Sequence, residues 1–433
     1  MADESPDAYR RPRGKPADIF AWIAYDWANS AYSTLLITVL LIYLTQEVAF
    51  PDKVAMVAYP WGISLSMIVA ALLSPLLGAL ADENASKRKW LASMTALGSG
   101  GAVLLAAIPP DQPWLVLAAF VLTSLFFELS LGFYNGFLPE IAREDQINRV
   151  SAWGYAAGYI GGAIALVIAL YVTHVGPSLG LPNRADQLRV GLLIMGLWWG
   201  GFSLPTLLIL RDRTAPPKRK LSFPNAMAKA GKEVVRTLGN IRQYKILALF
   251  LLGFLLYNDG IQTVISQASL FATKEIGFET GELIGLILMI QLLAFPGAMI
   301  VGFLSDRVGQ KATLMGCLAI WLGLLGVAYF VTEKSHMWML GVVVALVLGG
   351  TQSVSRAIMA AMTPTDRAAE FFGFFNFSGK ATSFSGSFIF GLVIGITDSA
   401  RLAIVSLLVF FLIGGAIVSL VNVKKGRQQA LEA

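Results

Sequence analysis

The chain has 433 residues, of which 56% are apolar and only 14% are charged. Soluble domains carry about 25% charged residues, so this composition excludes an ordinary soluble protein. The formal charge of +6 could suggest a nucleic-acid partner, but the basic residues concentrate in the tails and in every second connection between apolar segments. We therefore expect no nucleic-acid partner.

Twelve apolar runs of about 20 residues follow one another, and each is long enough to cross a hydrocarbon core of about 30 Å as a helix. The first run lacks a small-residue cleavage site, so we expect no removable signal peptide. Numbered helix 1 to helix 12, the predicted spans are 20–45, 57–81, 90–109, 114–138, 150–173, 189–210, 245–271, 283–304, 312–331, 338–362, 371–396 and 401–423. This pattern predicts an all-α integral membrane protein.

The basic residues are distributed unevenly between the connections. Twenty-five of the 33 Lys and Arg residues lie in the tails or after even-numbered helices, and six lie in the opposite loops. The positive-inside rule then predicts that both termini are cytoplasmic. The expected domains are a tail at 1–18, a six-helix bundle at 19–210, a linker at 211–243, a second bundle at 244–423 and a tail at 424–433.

The linker begins with a Pro- and Lys-rich stretch at 215–220 and continues as an amphipathic segment. The apolar residues of that segment are Met227, Val234, Val235, Leu238 and Ile241. Two interpretations fit this pattern about equally. The segment is either a helix lying on the cytoplasmic membrane surface or a tether between the two bundles.

Two related glycine-aspartate motifs lie 224 residues apart, each where an apolar helix gives way to a short basic turn. A glycine allows two helices to approach closely, and an Asp can face the N-terminus of a neighbouring helix. The repetition predicts a duplicated membrane bundle, which is typical of a transporter. The expected conformational gate consists of Gly78, Asp82, Lys87, Arg88, Gly302, Asp306, Arg307 and Lys311.

Helices 1, 4, 7, 10 and 11 carry charged residues within the membrane, where a charge costs several kcal/mol and usually faces the interior of the bundle. Each charge belongs to a polar stripe at helical spacing, and on helix 11 the stripe extends to Ser383 and Ser387. We expect helices 1, 4, 7 and 10 to line one central cavity and helices 3, 6, 9 and 12 to face lipid. The expected substrate or ion pathway consists of Tyr25, Asp26, Asn29, Tyr32, Glu128, Asn135, Asn258, Asp259, Gln262, Gln291, Gln352, Arg356, Asn376 and Lys380.

The charges in this set suit a zwitterionic substrate. Its carboxylate would bind Arg356 or Lys380, and its ammonium group would bind Asp26 or Glu128. The alternative is that these residues pair directly and hold the two bundles together. Both interpretations hold if the pairs open when the bundles move.

Residues suited to enzymatic or metal chemistry are scarce. The single cysteine, Cys317, lies in a predicted span, and the two histidines, His174 and His336, lie near opposite-side loops without ligand spacing. No GxSxG, HExxH or phosphate-loop motif occurs in its required context. We therefore expect no enzyme, no metal site and no cofactor.

The two glycine-aspartate motifs resemble the loop motifs of the major facilitator superfamily. The second copy departs from the usual pattern at Gln310, and the first departs at Glu83, Ala85 and Ser86. The resemblance extends over nearly the whole chain. It implies twelve helices arranged as two pseudo-symmetric six-helix bundles.

Two further motifs resemble those of the vacuole-effluxer branch of that superfamily, which includes an autophagy-related amino-acid effluxer. Residues 25–32 in helix 1 read Tyr-Asp-Trp-Ala-Asn-Ser-Ala-Tyr, and residues 349–356 in helix 10 read Gly-Gly-Thr-Gln-Ser-Val-Ser-Arg. The residues that match the family motifs are Tyr25, Asp26, Asn29, Gln352 and Arg356. This resemblance implies that the transported solutes are amino acids or their derivatives.

We expect a secondary transporter that moves small polar solutes by alternating access, as a monomer in the lipid bilayer of a bacterial inner membrane. A proton is the expected coupling ion, with sodium left open, and Asp26 is the expected coupling acid, influenced by a nearby cation such as Lys380. One alternative is a multidrug or lipid-like exporter of the same fold, which would need a more apolar cavity. A more distant alternative is a non-transporting membrane sensor or scaffold.

Overall fold

The computed structural model describes residues 14–213, 223–380 and 385–432. Residues 1–13 of the predicted N-terminal tail, the Pro- and Lys-rich stretch at 215–220, Ser383 and residue 433 lie outside this description. The described residues form helices and no strand, which confirms the all-α prediction. The twelve helices long and apolar enough to cross a membrane are Pro16–Glu47, Val57–Glu83, Lys87–Ala107, Pro113–Ile141, Ile147–Leu179, Arg184–Ile209, Lys245–Ile276, Gly281–Val308, Gln310–Ala328, Lys334–Ala361, Thr365–Thr397 and Ala400–Ser419.

Several of these helices are built from two or more pieces. Helices 4 and 6 divide just before Pro139 and Pro205, because a proline lacks the N–H group that a continuous helix would use. Helix 1 ends in two π-helical turns, and helix 12 has a short break after Ser406. The pieces are Pro16–Leu35, Leu36–Leu40 and Tyr43–Glu47; Pro113–Asn135 and Leu138–Ile141; Arg184–Phe202 and Leu204–Ile209; Ala400–Ser406 and Leu408–Ser419. The described parts of helix 11 include Ala368–Lys380 and Ser385–Thr397.

Helices 1–6 form the N-terminal bundle and helices 7–12 the C-terminal bundle. The bundles meet where helix 2 packs on helix 11 and helix 5 packs on helices 8 and 10. We call the face at which helix 1 begins and helix 12 ends the tail side. One hydrophobic core cluster contains residues of both bundles, whereas a second cluster near the other face belongs mainly to the N-terminal bundle. The two bundles are therefore packed together on the tail side.

The amphipathic segment of the linker is a helix, Phe223–Gly239. Its residues Ala226 and Ala230 pack against Ala79 and Leu80 near the end of helix 2. A bond of 2.5 Å from Lys229 Nζ to Glu83 adds to this contact. The apolar residues that face away from the protein are Val235, Leu238 and Ile241. One face of the linker helix thus packs on the N-terminal bundle and the other face is exposed.

The C-terminal end differs from the sequence prediction. Helix 12 ends at Ser419 rather than near 423, and Val423–Glu432 form a further helix where a tail was expected. Asn422 starts this helix, because its side-chain oxygen accepts a bond of 3.1 Å from the Lys425 N–H group. Gln429 accepts a bond of 3.3 Å from the Ile246 N–H group at the start of helix 7.

Candidate functional site

The first glycine-aspartate motif joins helix 2 to the start of helix 11. A Cβ atom placed on Gly78 would lie 2.3 Å from the backbone oxygen of Ala369, so only glycine permits this approach. Asp82 accepts a bond of 2.9 Å from the Glu370 N–H group in the first turn of helix 11. The carboxylate therefore faces a helix N-terminus in the other bundle, where negative charge is favourable.

The basic residues of this motif have different roles. Lys87 is fully buried, forms an ion pair with Glu140 of helix 4 and lies 3.4 Å from Asp82. Arg88 instead donates its backbone N–H group to Asp212, at 3.3 Å. The sequence identified Lys87 as part of the gate but not its partner Glu140.

The second motif repeats this arrangement with helices 8 and 5. Asp306 accepts a bond of 3.0 Å from Asn148 in the first turn of helix 5 and forms an ion pair with Arg149. The side chain of Arg307 lies 4.2 Å from the ring of Phe303 in its own helix. Lys311 donates to the carbonyl oxygen of Ser419 at 2.5 Å, also within the C-terminal bundle. Each bundle therefore presents one aspartate to the start of a helix in the other.

Arg356 of helix 10 extends into the N-terminal bundle and is only 2% exposed. Its guanidinium group bonds Asp26 at 2.9 Å, Asn135 at 3.3 Å and the Ser151 hydroxyl at 3.1 Å. It also donates to the Ser151 carbonyl oxygen at 2.8 Å. The cation beside Asp26 is thus Arg356 rather than Lys380, which the sequence analysis named as an example.

Aromatic rings enclose the same guanidinium group. Its carbon atom lies 4.1 Å from the ring centre of Tyr155 and 4.6 Å from that of Trp22. A cation over an aromatic face is attracted by the electrons of the ring. Together with the hydrogen bonds, these rings hold Arg356 in a site formed entirely by helices 1, 4 and 5.

Gly154 of helix 5 provides the space for this ion pair. A Cβ atom placed there would lie 2.3 Å from the Asp26 carboxylate and 2.7 Å from the Arg356 guanidinium group. We expect Gly154→Ala to destabilise the protein by about 1–3 kcal/mol, because the added methyl group must displace the pair. Thermal unfolding of the purified protein measures the effect.

Gly100→Ala in helix 3 is the matched control, because a Cβ atom there would meet nothing within 4 Å. We expect this control to be neutral or slightly stabilising, since alanine favours a helix over glycine. Equal unfolding temperatures for the two variants would contradict the packing described for Gly154.

Lys380 of helix 11 forms a second ion pair between the bundles. Its ammonium group lies 3.1 Å from Glu128 of helix 4, and Asn376 donates to the Glu128 carbonyl oxygen at 3.2 Å. The Lys380 side chain is 22% exposed, so this pair is more accessible than that of Arg356. The second carboxylate oxygen of Glu128 has no hydrogen-bond partner among the described residues.

Helix 7 places its polar residues against helix 11 rather than against the N-terminal bundle. Asn258 donates to the Gly379 carbonyl oxygen at 3.1 Å. Asp259 accepts hydrogen bonds from the Ser385 hydroxyl and, at 3.1 Å, from the Gly386 N–H group. Gln262 is half-buried and shows no side-chain hydrogen bond in the described part of the chain.

The remaining predicted pathway residues lie apart from the two ion pairs. Tyr25 bonds Thr95 at 2.8 Å and Tyr32 bonds Ser124 at 2.7 Å, both inside the N-terminal bundle. The amide nitrogen of buried Asn29 has no partner among the described residues. Two contacts join the bundles near the middle of their helices: Gln291 to Thr34 at 3.0 Å and Tyr159 to Gln352 at 3.2 Å.

The sequence analysis did not predict the contribution of helix 5. Ser151 and Tyr155 contact Arg356 directly, and Gly154 lies between them, yet helix 5 has no charge in its middle. Their spacing of three and four residues would have placed them on one helix face. That pattern alone could have identified helix 5 as the surface that receives Arg356.

A family model described as "Vacuole effluxer Atg22 like" matches residues 52–431. The MFS-type transporter YxiO of Bacillus subtilis is 31% identical over 408 residues, covering 93% of this chain and 94% of that protein. Autophagy-related protein 22-1 of Neosartorya fischeri is 30% identical over 306 residues, covering 65% of this chain. The chain spans 49% of the length of that fungal relative.

Solved structures show the same fold at low sequence identity. The human organic anion transporter MFSD10 (TETRAN) superposes with a TM-score of 0.74 at 13% identity, covering 93% of this chain and all of that one. The proton:xylose symporter XylE gives a TM-score of 0.72 at 12% identity, covering 96% of this chain and 97% of that one. The expected twelve-helix, two-bundle architecture is confirmed, and the family and fold are those of transporters rather than enzymes. The chain belongs to the vacuole effluxer Atg22-like family, within the major facilitator superfamily.

Proposed function

We propose that this chain is a secondary transporter that moves amino acids or closely related zwitterions across a membrane, driven by protons. The observation that carries this proposal is the accessible ion pair between Glu128 and Lys380, 3.1 Å apart across the bundle interface. A zwitterion carries the same two charges at a similar separation. It can therefore replace the direct contact with two charge-assisted contacts of its own.

In this mechanism the substrate carboxylate binds Lys380 and its ammonium group binds Glu128. The unpartnered second oxygen of Glu128 provides an additional acceptor for an ammonium group, which has three donors. Binding separates the pair and weakens the contact between helices 4 and 11. The buried pair of Asp26 and Arg356 acts instead as a structural contact that closes the bundle interface.

The distribution of basic residues supports cytoplasmic termini, so the packed tail side is the cytoplasmic side. In that orientation the structure corresponds to a state closed toward the cytoplasm. We further propose that the protein lies in a bacterial inner membrane and works as a monomer. Asp82 and Asp306 then form the cytoplasmic gate, which opens when the bundles rock.

Counterflow in proteoliposomes tests the substrate class without any imposed gradient. Vesicles loaded with one unlabelled amino acid are mixed with the labelled form, across a panel of side chains. For each amino acid that exchanges, its C-terminal amide and its deaminated acid are tested as competitors. We expect the zwitterion to compete and the two analogues to compete about 10–100-fold more weakly, because each loses one charge-assisted contact.

Glu128→Gln and Lys380→Gln should each weaken the discrimination against one of the two analogues. Glu128→Gln should reduce the preference for the amino group, and Lys380→Gln should reduce the preference for the carboxylate. Transport of lipophilic dyes with no exchange of any amino acid would contradict the proposal and favour an exporter of apolar compounds.

A further inference from the structure

Three of the predicted pathway residues inside the membrane are acids: Asp26, Glu128 and Asp259. Among the described residues, Asp259 is the acid of these three that has no cation beside it. Asp26 pairs with Arg356 and Glu128 pairs with Lys380, which uses both intramembrane cations. Asp259 is 1% exposed, so water does not compensate its charge. An ionised carboxylate with this surrounding is costly within a membrane.

The two oxygens of Asp259 have different surroundings. Oδ2 accepts both hydrogen bonds, from the Ser385 hydroxyl and the Gly386 N–H group. Oδ1 is buried and has no partner in the part of the chain that the structure describes. Thr263, one helical turn further along the same face, has a hydroxyl that is also buried and unpartnered there. Two unsatisfied buried polar atoms on one helix face are rare in folded proteins.

Both unpartnered oxygens lie beside Gly386. A Cβ atom placed on that glycine would lie 3.3 Å from Asp259 Oδ1 and 2.1 Å from Thr263 Oγ1. The absence of a side chain at Gly386 therefore allows helix 11 to approach these two oxygens of helix 7 closely.

The other ionisable groups near Asp259 are already engaged or lie at the helix ends. None of them forms an ion pair with Asp259 within residues 14–213, 223–380 and 385–432. Residues 381–384 contribute no Lys or Arg to the sequence. The charged and titratable groups on the elements packed against helix 7, and on helix 7 itself, are Lys334, His336, Arg356, Asp366, Arg367, Glu370, Lys380, Arg401, Lys424, Lys425, Arg427, Glu432, Lys245, Tyr257, Lys274, Glu275 and Cys317.

We propose that the site formed by Asp259, Thr263, Ser385 and Gly386 binds the coupling proton, and that the proton bonds to Oδ1 of Asp259. A proton arriving from water on the open side bonds to Oδ1, and the neutral acid donates a hydrogen bond to Thr263 Oγ1. Oδ2 keeps the two hydrogen bonds that it already accepts. Release returns the proton to water on the other side and leaves the carboxylate ionised.

A proton fits this site better than a metal cation. Hard cations are held by about six oxygen ligands, often from several carboxylates. The described residues contain no group of three or more His, Cys, Asp or Glu that could hold a metal ion. The site also adjoins the proposed substrate contact, because Ser385 follows Lys380 by five residues in helix 11. Protonation can therefore alter the position of helix 11 and of Lys380. This inference rests on the proposed proton-driven transport and names the group that carries the proton.

Spin-label distance measurements test this site without a substrate. One label is placed at Asp111→Cys in the N-terminal bundle and one at Thr332→Cys in the C-terminal bundle, both exposed on the side opposite the tails. Cys317→Ala removes the native thiol. In liposomes, we expect the distance distribution of the otherwise unchanged protein to shift between mildly acidic and mildly alkaline buffer. Asp259→Asn should abolish the shift and keep the acidic distribution at both pH values.

Thr263→Val tests the same site with a smaller change. It removes one hydroxyl and should move the midpoint of the shift to lower pH by about one unit, because the neutral acid loses a hydrogen bond. A response to sodium at constant pH would overturn the assignment to a proton, and an unchanged pH response in Asp259→Asn would overturn the assignment to Asp259.

Counterflow separates this inference from the proposed function. Asp259→Asn should still exchange amino acids and should lose only accumulation driven by a pH gradient. If no amino acid exchanges but Asp259 still controls the pH response, the substrate assignment fails while the proton site stands. If amino acids exchange and Asp259→Asn still accumulates them on a gradient, the proton site fails alone.

Discussion

Arg356→Met should destabilise the protein by about 3–5 kcal/mol, because it leaves the Asp26 carboxylate as an uncompensated buried charge. The same change removes four hydrogen bonds and the contacts with the rings of Trp22 and Tyr155. Tryptophan fluorescence during heating, combined with size-exclusion chromatography, measures the loss of folded protein.

Lys380→Met is the matched control for this substitution. It also removes an intramembrane cation, but the Lys380 side chain is 22% exposed, whereas that of Arg356 is 2% exposed and makes four hydrogen bonds. We expect Lys380→Met to fold nearly as well as the unchanged protein while losing exchange of amino acids. A fully folded and active Arg356→Met variant would contradict the structural role of Arg356.

Lys87→Met, a substitution in the gate, should destabilise the protein by a similar amount to Arg356→Met. Lys87 is the cation between two buried carboxylates, those of Asp82 and Glu140, and its removal leaves both without a neighbouring cation. We expect a lower unfolding temperature and a tail side that no longer closes. The labelling rate of a single cysteine at the tail-side interface, such as Ala369→Cys in a Cys317→Ala background, measures closure.

Lys89→Met is the control for the gate substitution, because Lys89 lies two residues away and is exposed. It should leave both the unfolding temperature and cysteine labelling unchanged. Asp82→Asn should slow exchange without changing substrate affinity, since the gate lies far from the ion pair of Glu128 and Lys380. A loss of substrate binding in a folded Asp82→Asn variant would instead place the gate within the binding site.

The helices and the family could be predicted because both depend on local sequence. Apolar runs determine where helices cross the membrane, and the repeated glycine-aspartate motif indicates the duplication of the bundle. The C-terminal helix was missed because it is short and polar, so it resembles a tail. The signal that was available is the capping residue Asn422 followed by a segment without proline.

The partners of the intramembrane charges could not be predicted in the same way. Asp26 had two candidate cations, Arg356 and Lys380, and the choice depends on how helices 10 and 11 are rotated against the N-terminal bundle. That rotation follows from close packing of small residues on helix 5, such as Gly154, against the pair itself. The sequence positions of the charged residues contain no information about that rotation.

The surroundings of Asp259 could not be predicted from the sequence either. Asp26 and Asp259 each lie in the first helix of a bundle, and the sequence analysis suggested Asp26 as the coupling group. The structure gives them different surroundings, because Asp26 has Arg356 beside it and Asp259 has only neutral donors. Equivalent sequence positions in two halves therefore acquired different neighbours.

Accumulation of a labelled amino acid in proteoliposomes under an imposed pH gradient is the most direct test of proton-driven transport by this protein. The amino acid is chosen as one that exchanges in counterflow, and a protonophore is added to a parallel sample. We expect the internal concentration to rise above the external one on the gradient and to fall to equality when the protonophore dissipates it. Equal internal and external concentrations with and without the gradient would contradict proton-driven transport.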